Sequence, residues 1–265
     1  MGIYKNGVDD SGGGGGGGTA TDSGVLIDIS SFDPSALRGL QTWLKADAGV
    51  TESGGAVSAW LDQSPNALSF AQATGSKQPT VVSAAYNLLP CIRFDGTDDI
   101  LQVTADKIPT TENHTFFAVC KSDDASQNAM VWGLGEGVNP DDEKDWGQGI
   151  AISAGKYVAK MVYNTSTGVS MIQSSAASTS AALVSACMAK RDSWLRVNGT
   201  LEDEATADLS RTSYSITAVG GGNGDGLGND LPFDGDIMEI IHYNRALPQS
   251  EIESVEAYLN NRWGL

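Results

Sequence analysis

Phe233-Asp-Gly-Asp-Ile-Met-Glu-Ile-Ile-His-Tyr-Asn-Arg-Ala-Leu-Pro-Gln-Ser-Glu-Ile-Glu-Ser-Val-Glu-Ala-Tyr-Leu-Asn-Asn-Arg-Trp-Gly-Leu265 is the stretch that decides the fold. Ile237, Ile241 and Tyr243 mark a strand over 236–243. A turn follows at Asn244-Arg245. Ile252, Val255, Leu259 and Trp263 then recur at the spacing that places them on one helix face. Pro248 suits a first helical position, whereas Leu247 is a poor cap for it. A single terminal helix after a strand-rich body is a restrictive pattern.

Upstream, the chain reads as short strands. Candidates are 41–46, 57–61, 91–94, 100–103, 115–121, 129–134, 150–153, 157–163, 169–173, 183–190, 194–197 and 215–219. Many alternate or are rich in β-branched and aromatic residues. Trp194 to Leu201 reads as a hairpin, because Asn198-Gly199 suits a two-residue primed turn. Asp33-Pro34 opens a single helical turn, with an acidic cap and proline at its first position. Helices do not alternate with the strands, and no 20–50-residue repeat recurs. The pattern is all-β, a sandwich or jelly roll, rather than a doubly wound sheet, propeller or solenoid.

Residues 1–24 stand apart from a globular segment over 25–265. Seven glycines follow Ser11, and glycine loses so much backbone entropy on ordering that this run reads as a flexible linker. About 14 such residues span roughly 20 Å. Before the linker, Ile3 and Tyr4 are large apolar side chains beside an Asn6-Gly7 turn. Two readings stand for this segment: a frayed tail, or a docking peptide tethered to the domain.

The formal net charge of −17 disfavours a phosphate backbone as partner. No apolar run approaches the ~20 residues of a membrane helix. Met1 to Val8 lacks a signal-peptide core, and Asn6 stands where a myristoylation motif needs Ser or Thr. Folding in a cytoplasm is therefore the expectation. Cys91, Cys120 and Cys187 are odd in number, widely spaced and set in apolar strands, which reads as three buried thiols.

Several segments together resemble the concanavalin A-like, laminin-G-like jelly-roll domains of bacterial surface proteins and bacteriophage virion proteins. They are Leu40 to Val50, Val57 to Ser64, Lys77 to Thr80, Leu89 to Leu101, Phe116 to Val119, Leu195 to Gly199 and Phe233 to Leu265. The resemblance covers about residues 37–265 and rests on the order of these pieces. It implies two antiparallel sheets packed face to face with a short C-terminal helix capping them. It implies a binding or structural module, not an enzyme.

Candidate chemistry is sparse. Asp234, Asp236 and Glu239 superficially match the carboxylate strand of jelly-roll glucanases. In a regular strand Asp234 and Asp236 share one face and Glu239 the other, so only a bulge would bring the pair together. Strand entry after an Asp-Gly turn is the ordinary reading. His114 and His242 are the chain's two histidines, and no nucleophile elbow accompanies them. Neither glycine-rich stretch ends in the Gly-Lys-Ser/Thr of a phosphate loop. The loop holding Asp225, Asn229 and Asp230 gathers oxygen ligands that Ca²⁺ accepts, although the same residues make ordinary turns. Asp95, Asp98 and Asp99 form a second acidic turn, read as structural. Asp145 and Trp146 lie in the longest irregular stretch, which could meet a sugar or a partner, or be a solvated loop.

The resulting expectation is a non-enzymatic virion protein, of capsid-decoration or fibre type. It is docked on other virion proteins through Ile3 and Tyr4, after assembly in the host cytoplasm. The alternatives are a glycan-binding receptor-recognition or adhesin module, including one on a bacterial cell surface, and a glycoside hydrolase. No nucleic acid, no membrane insertion and no cofactor other than Ca²⁺ is expected.

Overall fold

Strand β17, Asp234–Tyr243, is the spine of the molecule, and it is almost wholly buried. The structure is a computed structural model that describes residues 32–104, 113–135, 148–162, 169–206, 216–222 and 231–265. In chain order the strands are β1 (Leu40–Lys45), β2 (Val50–Ser53), β3 (Ala56–Leu61), β4 (Ser69–Ala71), β5 (Thr80–Tyr86), β6 (Leu89–Asp95), β7 (Leu101–Thr104), β8 (His114–Ser122) and β9 (Ala129–Gly135). They continue as β10 (Gln148–Ser153), β11 (Lys156–Val162), β12 (Val169–Gln173), β13 (Ala182–Met188), β14 (Ser193–Val197), β15 (Thr200–Ala205), β16 (Ile216–Val219) and β17, and α1 (Gln249–Trp263) follows.

All strand pairs are antiparallel, and they form two layers. One runs β1–β17–β8–β13–β14–β15. The other runs β4–β7–β16–β9–β10–β11–β12. The layers are joined along one edge, because β6 pairs with the first half of β17 and leads through β5 and β3 to β4. The two expected layers are present and, among the described residues, they link into one continuous, barrel-like ladder of seventeen strands. Phe116 of β8, Trp132 of β9 and His242 of β17 meet between the layers, with centroids 4.9–5.1 Å apart. Burying such large rings contributes roughly 1.5–3 kcal/mol each before entropy is charged.

Helix α1 lies on the outer face of the β17 layer, burying Ile252, Val255, Leu259 and Trp263, the four residues its periodicity singles out. Pro248 occupies the cap position rather than the first turn, and no side chain caps the helix start. Gly264, in the left-handed region, ends the helix and bonds back to the Asn260 carbonyl. Two buried carboxylates pin the helix. Glu256 accepts from Ser185 and from the Arg196 fork on the sheet at 2.9–3.1 Å. Glu239 reaches from the sheet to the helix, as described below.

Local predictions hold at particular residues. Asp33 accepts from the Ser35 amide at 2.7 Å at the head of a 3₁₀ turn. Asn198 and Gly199 have φ of 49° and 77°, the primed turn that joins β14 to β15. The three cysteines are free and buried. Strands β2, β4 and β5 are absent from the sequence reading. They are short or largely exposed, so they carry no apolar stripe.

Candidate functional site

The carboxylates of β17 were the sharpest chemical question. A bulge at Met238 separates Ile237, opposite Cys120, from Glu239, opposite Val119. The extra residue turns Glu239 to the face that carries Asp236, so the regular-strand expectation for Glu239 is overturned. The Met238 carbonyl accepts from the Ala46 amide, which holds the bulge in place.

Neither carboxylate is available for chemistry. Asp236 is fully buried, and its oxygens accept from Arg93 at 2.7 and 2.9 Å and from the Tyr86 hydroxyl at 2.8 Å. Burial works to raise its pKa, but these donors and the Arg93 charge outweigh it and hold the carboxyl below its ordinary value. Glu239 is also fully buried. Its Oε1 accepts from Trp43 Nε1 at 2.6 Å and the Tyr258 hydroxyl at 2.9 Å, and its Oε2 from Trp263 Nε1 at 2.8 Å. Arg262 Nε lies 3.0 Å away as an ion contact, off the line of a hydrogen bond. Desolvation still pushes the Glu239 carboxyl up, against the indole donors and the Arg262 charge. A retaining hydrolase needs one carboxylate exposed to substrate; here both are spent on structure.

His114 and His242 are equally internal. Their ring nitrogens lie 2.8 Å apart, stacked among Phe116 and Trp132. Burial, followed by the neighbouring His114, drives the pKa of His242 well below the ordinary value.

Asp95, Asp98 and Asp99 close the turn after β6, and their oxygens come within 4.8 Å of one another. They are the carboxylates, among the described residues, that could share a cation. Asp95 Oδ1 accepts from the Thr97 amide at 2.8 Å, and Asp99 Oδ2 from the Asp95 amide at 3.0 Å, which is ordinary turn geometry. Burial and the Asp95 charge push the Asp99 carboxyl up to about 6.

Asp225, Asn229 and Asp230 lie outside the described residues, as do Asp145 and Trp146 and the segment holding Ile3 and Tyr4. The strand ends that flank 223–230 lie near the Asp95 turn, for Phe233 bonds to Gly220 and Gly96 bonds to Phe233. Those that flank 136–147 are at the other end of the sandwich, where Leu134 pairs with Gln148.

That other end carries a recess the sequence reading did not single out. It is an open hollow of about 530 Å³ lined by Asp192, Ser193, Trp194, Glu204, Ala205 and Thr206. Trp194 and Glu204 are a cross-strand pair of β14 and β15, so they stand on the same face. A second hollow of about 450 Å³ adjoins it, sharing Asp192 and Thr206 and adding Lys190 and Arg191. The turn between them is firmly built. Ser193 Oγ bridges the Ala189 amide and carbonyl at 3.1 Å each, and the Lys190 amide donates to Asn113 Oδ1 at 3.1 Å. The available signal was a tryptophan on an edge hairpin beside a Lys-Arg-Asp turn.

No protein-family profile matches the chain, and no curated protein matches it. Solved structures do. The binding domain of Botulinum neurotoxin serotype D aligns with a TM-score of 0.58 at 12% identity, over 89% of this chain and 55% of that one. The Trypanosoma rangeli sialidase in complex with sialic acid aligns at 0.56 and 18% identity, over 85% of this chain and 33% of its own. A Ruminococcus gnavus sialidase module, CBM40, bound to α2,3-sialyllactose aligns at 0.52 and 14% identity, over 63% of this chain and 96% of its own. The fold is that of β-sandwich domains. At these identities the likeness speaks for the fold, and the chain spans about a third of the sialidase it matches.

Proposed function

We propose that this chain is a non-enzymatic, glycan-binding β-sandwich, presented on a virion surface to which its N-terminal segment docks it. The observation that carries the binding reading is the recess at Trp194. An indole face stacks on the C–H face of a sugar ring, and acidic side chains beside it accept from sugar hydroxyls. The hollow is within the 300–1,000 Å³ range usual for small-ligand sites. It stands at a loop-bearing end of a rigid scaffold, where binding residues concentrate. The matching sandwiches include one bound to sialyllactose and the binding domain of a neurotoxin, which supports the same reading. Against hydrolysis stands the locked state of Asp236 and Glu239.

The virion part rests on the resemblance of the chain to phage domains and on a short apolar peptide before a glycine tether. A glycan array probed with the full chain and with Trp194→Ala tests the binding part. Retained binding by a folded Trp194→Ala protein would remove the recess from the account. Deletion of residues 1–18 tests docking: a truncated protein that joins particles normally would end that part. A reducing-sugar assay with the full chain tests the hydrolase alternative, and no release of reducing ends is expected.

A further inference from the structure

We infer that the ligand of the recess is a sugar bearing a carboxylate, its ring against Trp194 and its acid group at Arg191. This rests on the glycan reading above and specifies the chemical class.

The two adjoining hollows differ in chemistry. The Trp194 side offers Glu204 and Asp192, carboxylates that only accept and so suit hydroxyl donors. The other side offers Lys190 and Arg191, which only donate. A neutral sugar meets the second set only through its hydroxyl oxygens, as uncharged acceptors, whereas a carboxylate meets it as a full negative charge. A sugar acid uses both, hydroxyls at the carboxylates and carboxylate at the guanidinium, across the shared wall of Asp192 and Thr206.

Arg191 is also chemically available. Among the described residues, Arg93, Arg196, Arg245 and Arg262 are all committed to carboxylates. Arg191 is exposed and takes part in no ion pair there. Its planar fork matches a carboxylate in two parallel hydrogen bonds. The turn that carries it is held by the Ser193 bridge and by the Lys190 amide bond to Asn113, so little ordering is left to the moment of binding. The protein as a whole, at a formal net charge of −17, repels anions. A local cation is therefore what an acidic sugar would need, and its contribution will fall with added salt.

The test is titration calorimetry of the full chain with lactose, sialyllactose and a galacturonic acid oligomer, at low and high salt. At least one acidic sugar is expected to bind about tenfold or more tighter than lactose, the factor one charge-assisted hydrogen bond supplies. The sialyl and galacturonide arms identify which sugar acid it is. Arg191→Gln, at an exposed position, is expected to remove the preference, weakening the acidic ligand about tenfold and lactose by much less. Trp194→Ala, and the gentler Trp194→Phe, should weaken every sugar. Equal affinity for lactose and both acidic sugars, or an Arg191→Gln protein that keeps the preference, overturns the inference while leaving the glycan reading. Failure of all three sugars to bind overturns both.

Discussion

Replacing Glu239 by Gln is the perturbation that most directly separates structural from catalytic use of the β17 carboxylates. The wild-type carboxylate takes three hydrogen bonds, from Trp43, Tyr258 and Trp263, and one ion contact from Arg262. An amide can keep one acceptor oxygen. If it keeps the Oε1 position, its NH₂ faces the Trp263 N–H, which loses its acceptor, and the Arg262 guanidinium, which loses the facing charge and keeps only Asp47. Removing one partner of a buried ion pair costs roughly 3–5 kcal/mol. Part of that is returned, because burying the neutral amide is cheaper than burying the charge whose pKa is already pushed up. A net loss of about 2–4 kcal/mol remains, against the roughly 5–15 kcal/mol of a typical domain. For a chain of this size that lowers Tm by about 5–12 °C. Thermal and urea melts should show it, with α1 the first element to gain amide-exchange rate. Glu253→Gln, on the exposed face of the same helix, should stay within about 0.5 kcal/mol. A Glu239→Gln protein as stable as wild type, with α1 equally protected, would refute the pinning account.

Three further outcomes follow from the same geometry. His242 stays neutral in the fold while the unfolded chain protonates below about 6.5, so its stability contribution is complete above that pH and is lost at ~1.4 kcal/mol per unit as pH falls. Asp99, raised to about 6, acts in the opposite sense between about 6 and 4, so the quantity to measure is wild type minus His242→Gln. Between pH 7.5 and 5 the wild type should lose about 2 kcal/mol more than the variant, and parallel slopes would contradict the assignment. Gly220→Ala should abolish folding, since φ is +77° and a Cβ would lie 1.9 Å from the Phe94 ring; a soluble, wild-type-like melt would show the contact misjudged. Asp236→Asn should cost about 1–3 kcal/mol near neutral pH, discounted because Arg93 is half exposed, and its deficit should shrink in acid as the wild-type carboxylate protonates. A deficit constant down to pH 2.5 would speak against a charged pair.

Much of the architecture is legible because burial writes a periodic pattern. The four apolar residues of α1 report a face that the structure then covers, and the near-continuous apolar runs of β8 and β13 report strands buried on both faces. Asn198-Gly199 is legible for a different reason, since few other residues tolerate two successive positive φ values. Strands β2 and β5 escape because most of their side chains are exposed and the few that touch the core, Val50, Val81, Val82 and Tyr86, make no regular period. The join of two layers into one ladder escapes as well. It depends on β6 and β1 sharing β17 end to end, a register that only pairing over long sequence separation decides.

The site is harder to read for a related reason. Met238 looks like any apolar strand residue, yet its bulge reverses the face of Glu239 and with it the chemical meaning of the strand. The hint was present in composition rather than spacing: an acid amid Ile237, Met238, Ile240 and Ile241 must find donors or cost several kcal/mol. Trp43, Tyr258, Arg262 and Trp263 are those donors, drawn from both ends of the described chain. A buried acid with four neighbours closes a fold; Arg191, exposed and without an ion pair among the described residues, is the group the proposed ligand would meet.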